Sequence, residues 1–79
     1  MPRIILNADH LETIQRELKE RRGVDFNTSN REAVFSMLKY WCREAAKGEA
    51  DIEEVSQQPE ERFLVAGNTD FITALQKLL

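Results

Sequence analysis

Cysteine, proline, glycine and histidine are all scarce: the 79 residues include one Cys, two Pro, three Gly and one His. With Cys42 alone the chain makes no internal disulfide and no cysteine-based zinc site, which points to a reducing, cytoplasmic setting. No apolar run approaches the roughly 18 residues of a membrane span, the N-terminal run being only Ile4, Ile5 and Leu6, so neither a signal peptide nor an anchor is expected. Catalytic signatures are missing as well. No glycine-rich phosphate loop, no metal-ligand spacing and no nucleophile with a paired base occurs, so the chain is expected to be no enzyme and to need no cofactor or metal. His10 has no second ligand near it in sequence.

What is present suits a folded domain. Apolar residues make up 42% and charged residues 32% of the chain, enough apolar content to escape disorder. A chain this short buries only about 60% of its unfolded surface, so a second subunit is a natural supplement to its core. Its net charge of −3 is unevenly spread. Residues 1–48 carry nine Lys and Arg against seven acids, while residues 49–79 carry two against seven. The first part can face a polyanion and the second cannot, so the two are expected to do different work.

Residues 3–8 alternate: Ile4, Leu6 and Ala8 share one parity, Arg3, Ile5 and Asn7 the other, as in a short strand with one buried face. Asp9 with Glu12 has capping-box spacing and opens a helix to about Arg22, with Leu11, Ile14 and Leu18 as its apolar stripe and Gly23 as its stop. Val24 and Phe26 pin the connection. Ser29 with Glu32 opens a second helix with a broad stripe from Ala33 and Val34 through Met37, Leu38, Trp41 and Cys42 to Ala45, ending near Lys47 and Gly48. Met37, Tyr40 and Trp41 read as core, and Cys42 as an inert buried thiol.

Residues 49–59 read as an acidic linker or frayed helical turn, with Pro59 opening a short helix or breaking the chain. Phe63, Leu64 and Val65 in a row fit strand or helix equally. Thr69 with Asp70 caps a last helix with an amphipathic face of Phe71, Ile72, Leu75, Leu78 and Leu79.

A lone strand leaves unpaired backbone groups on both edges, and these require a partner. Either residues 62–66 return beside it as a second strand, giving a monomeric α+β domain, or the strand pairs with its copy in a two-fold dimer.

The stretches RIILNA, DHLETIQREL and SNREAVFSML, in that order, resemble the ribbon-helix-helix (MetJ/Arc) superfamily over residues 3–47. The chain departs from the usual pattern in its longer connection at 23–28 and in an apolar Ile5 on the outward strand face. The resemblance implies a mainly α fold with one short N-terminal strand paired across a two-fold homodimer: residues 1–48 form the dimerisation and DNA-binding domain, and residues 49–79 an acidic helical extension. It also implies a small transcriptional repressor acting on double-stranded DNA. Arg3, Ile5 and Asn7 would then read base edges, Arg to guanine, Asn to adenine and Ile to a thymine methyl, while Thr28, Ser29, Asn30 and Arg31 at a helix N-terminus would hold phosphate.

Antitoxins of this type share the layout, with a C-terminal segment folding over a toxin. In that case Phe63, Leu64, Val65, Phe71, Ile72, Leu75, Leu78 and Leu79 would bind the partner protein. The competing reading is a non-enzymatic interaction module or inhibitor that binds a protein and no DNA. An extension that merely stabilises the fold would bury the same residues.

Overall fold

Three asparagines open the three helices of the computed structural model, which describes residues 2–55 and 62–79. The elements run β1 (Arg3–Leu6), α1 (Ala8–Arg22), α2 (Arg31–Ala45), β2 (Asp51–Glu54), β3 (Phe63–Ala66) and α3 (Thr69–Leu78). Asn7, Asn30 and Asn68 are extended, and their side chains accept from His10 N (3.0 Å), Ala33 N (2.8 Å) and Phe71 N (2.8 Å).

These caps differ from the predicted Asp9, Ser29 and Thr69. Capping-box spacing picks out Asp9 and Ser29, and an adjacent acid Thr69, but a cap also needs extended backbone, and here that ends one or two residues away. At α1 the reciprocal partner is His10, whose Nδ1 accepts the Asn7 N–H at 3.2 Å. The predicted stop holds: Gly23 is left-handed (φ 66°) and its N–H bonds the Leu18 carbonyl.

The expectation of a single strand is corrected to a three-stranded antiparallel sheet in the order β1-β3-β2. Arg3 faces Ala66 and Leu6 faces Phe63 across β1 and β3; Asp51 faces Ala66 and Glu54 faces Phe63 across β2 and β3. Of the two solutions open to the first strand, pairing within the chain is the one adopted along this edge. The predicted linker at 49–59 contains β2, and the placement of Pro59 lies outside the described residues. β2 escaped detection because three of its four side chains are acids. Glu54 turns inward regardless, its side chain 15% exposed, because the Arg31 guanidinium at the start of α2 pairs with it.

One parity of the sheet is sealed. Leu6, Phe63 and Val65 are fully buried and Ile4 and Ile52 partly so, all in the same core as the helices. To it α1 contributes Leu11, Ile14 and Leu18; α2 contributes Val34, Met37, Leu38, Trp41 and Cys42; α3 contributes Phe71, Ile72 and Leu75. The core therefore crosses residue 48, so the division there is one of charge and not of separate folding units. Phe35 meets Phe63 edge-on at 5.3 Å, and Gln15 Nε2 donates to the Phe26 carbonyl at 2.7 Å, tying down residues 23–30.

β1 and β2 both run antiparallel to β3 and hence parallel to each other, and α1 and α2 lie in the crossover between them. Contacts at both ends agree with this. Arg22 Nη2 donates to the Glu44 carbonyl at 3.0 Å where the two helices finish, and Arg31 meets Glu54 where α2 begins.

The Phe71 ring is clamped between two glycines. A Cβ on Gly48 or on Gly67 would lie 2.5 Å from a ring carbon. Gly48 is thereby committed to close approach, and the left-handed conformation after α2 falls on Lys47 (φ 57°), one residue before the expected glycine stop. Gly67→Ala and Gly48→Ala should each cost about 1–3 kcal/mol by overpacking. Lys47→Gly should instead gain up to about 1 kcal/mol by relieving the left-handed side chain. Urea unfolding midpoints of the three variants give the signs directly.

Candidate interaction surface

The other parity of the sheet has no layer over it among the described residues. Two rows cross it, Arg3–Ala66–Asp51 and Ile5–Leu64–Glu53. Ile5 is 53% exposed, Leu64 and Ala66 are half-buried, and Arg3, Asp51 and Glu53 are exposed. Ile5, Leu64 and Ala66 are not among the apolar residues packed against the core. Alternation along short strands accounts for this directly: once Ile4, Leu6, Phe63 and Val65 are committed inward, Ile5 and Leu64 must stand outward. The ladder continues through Val55, whose N–H bonds the Arg62 carbonyl at 2.9 Å. A patch of Ile5 and Leu64 results, with Arg3 at one side and Asp51 and Glu53 at the other.

The backbone polarity of the edges follows from two bonds. Gly67 N–H donates to the Pro2 carbonyl at 3.1 Å, so Pro2, Ile4 and Leu6 turn their backbone groups toward β3 while Arg3 and Ile5 turn theirs outward. By the same alternation Ile52 and Glu54 face the open edge of β2.

The predicted base-reading residues separate. Arg3 and Ile5 stand side by side on the open face, but Asn7 lies past the end of β1 with its carboxamide oxygen, N–H and carbonyl all engaged in opening α1. The predicted phosphate-holding group lies in the helical layer on the opposite side of the sheet. Within it Asn30 caps α2, Ser29 N–H bonds the Asn27 side chain at 2.9 Å, Thr28 is half-buried, and the Arg31 guanidinium pairs with Glu54. A single chain therefore does not bring the two groups onto one surface.

The predicted partner-binding residues also divide. Phe63, Val65, Phe71, Ile72 and Leu75 are closed off in the chain's own core, while Leu64 lies on the open face and Leu78 (38% exposed) and Leu79 (41%) at the end of α3. Asp51 and Glu53 were missed by sequence reasoning. Their role depends on the β2–β3 register, for which four residues with three acids give no periodic signal.

No metal-binding group of three His, Cys, Asp or Glu occurs among the described residues. No described helix is long and apolar enough to cross a membrane. Comparison with protein-family models, curated proteins and solved structures found no match.

Cys42 packs into the core, where burial pushes its thiol up from 9.0 to about 11. The folded chain thus holds the thiol proton more tightly than the unfolded chain does. The stability this contributes is fully present below pH 9 and declines as pH rises toward about 11. Urea titrations across that window should show a fall of roughly 2 kcal/mol that is absent from Cys42→Ala.

Proposed function

We propose that this chain is a non-enzymatic protein-interaction module whose open sheet face docks a partner protein. The observation that carries this reading is Ile5, a large apolar side chain more than half exposed, beside Leu64 on a sheet face that no described residue covers. Fully burying side chains of this kind contributes about 1.5–3 kcal/mol each, and their place at the middle of the face suits the apolar centre of a protein interface. The polar groups around them set orientation. A matching partner presents an apolar patch with a basic group opposite Asp51 and Glu53 and an acidic one opposite Arg3.

A photo-crosslinking amino acid at position 64, with the same group at exposed Glu20 as control, captures the partner in cells. Binding of the purified partner is then compared for the native chain and Leu64→Lys. The variant should bind about 100-fold more weakly, the effect of losing one central anchor, with an unchanged circular dichroism spectrum. Equal affinity for a folded Leu64→Lys chain overturns the reading.

A second reading, a DNA-binding repressor of ribbon-helix-helix type or an antitoxin, is favoured by one observation: Arg3 and Ile5 point outward from alternate positions of β1, as base readout requires. Asp51 and Glu53 on the same face oppose phosphate. Retardation of the chain's own upstream DNA at low salt, lost in an Arg3→Ala variant, would support it, and absence of retardation removes it.

A further inference from the structure

We infer that a second copy of this chain pairs with the open edge of β1, giving a two-fold dimer with one continuous six-stranded sheet. The inference rests on the reading of the sheet as an interaction surface and completes that surface by doubling it. The N–H and C=O groups of Arg3 and Ile5 point away from β3, and none of the four has a partner among the described residues. An edge of this kind is a template for another strand.

The two edges are not equivalent. β2 carries Asp51 and Glu53 outward and Glu54 inward, so two β2 edges brought together would crowd carboxylates against one another. β1 carries a single charge, Arg3, with Ile4, Ile5 and Leu6. Charge therefore selects β1 as the edge that tolerates its own copy.

Backbone geometry then selects the register. With Arg3 opposite Ile5 of the second copy and Ile5 opposite its Arg3, all four open groups on each edge are used, closing four inter-chain hydrogen bonds. Ile4 meets Ile4 of the second copy at the two-fold axis on the inner side, where it is only partly buried in one chain. The alternative, Ile5 opposite Ile5, sets Arg3 against Asn7, whose N–H goes to His10 Nδ1 and whose carbonyl takes the Leu11 N–H. That register loses the bonds at both ends. In the favoured one no like charges are directly opposed, and both copies' Ile5 and Leu64 lie on one outer face.

The test is the mass of the full chain by sedimentation equilibrium, together with cysteine placement. The native chain should sediment at twice its 9.2 kDa. Under mild oxidation Ile4→Cys should form an inter-chain disulfide, because the Cβ atoms of a non-hydrogen-bonded pair approach to about 4.5 Å, the upper end of what a disulfide spans. Ile5→Cys, offset from its counterpart, should not. Ile5→Pro removes an N–H that no strand of the chain accepts and should halve the mass while keeping the circular dichroism spectrum.

A single-chain mass at high micromolar concentration overturns the proposal, as does crosslinking through Ile5→Cys in preference to Ile4→Cys. If Ile5→Pro does not fold, the two cysteine variants decide alone. Leu64→Lys separates this inference from the docking reading: it should weaken partner binding about 100-fold and leave the dimer mass unchanged. A dimer lost in Leu64→Lys places the contact on the face and overturns edge pairing. Partner binding by a single-mass chain overturns the dimer and leaves docking intact.

Discussion

The seating of β3 between strands from two distant parts of the chain is the constraint on which the rest of the structure depends. It satisfies both edges of β3 and places the Phe63 and Val65 side chains at the centre of the core. It also forces α1 and α2 into one crossover. Since β1 and β2 must both run antiparallel to β3, the chain between them leaves and re-enters the sheet at opposite ends, and the helices carry it back. All three helices then share the one sealed face. The three described helices spend their apolar stripes on that one face, and the other face has no layer over it among the described residues.

Much of this was legible in local patterning. The parity of residues 3–8 correctly separated Ile4 and Leu6 from Arg3 and Ile5, and Gly23 marked the end of α1. The stripe of α2 and the buried part of α3 followed helical spacing. The illegible parts have physical causes. Caps depend on where extended backbone ends, which three-residue spacing does not encode, and β2 is a strand whose inward acid is admitted by an arginine twenty-three positions earlier in the chain. No period in residues 51–54 announces that pairing. For the candidate surface, Arg3 and Ile5 could be read as outward, but Leu64, Asp51 and Glu53 join them only through register.

The charge division at residue 48 takes on a different meaning in three dimensions. The acidic half does not hang from a basic half; it supplies β2, β3 and α3 to the same core. Asp51 and Glu53 of that half lie on β2 at one edge of the sheet, where they discourage pairing with another β2, while the edge at β1 is left almost uncharged. Glu54 is the exception, an acid turned inward to meet Arg31. An arginine that sequence alone offers to phosphate is thus employed in holding the first turn of α2 to the sheet.

The shared direction of α1 and α2 has an electrical consequence. Two adjacent helices with the same polarity add their macrodipoles, each equivalent to about half a charge at either end, where an antiparallel pair would cancel them. The end of the molecule at which both helices finish carries the partial negative charge, and Arg22 meets it by donating to the Glu44 carbonyl, with Lys19, Arg21 and Arg43 nearby in the last turns. The backbone charge that a parallel pair gathers at one end is thus offset by basic side chains placed at that same end.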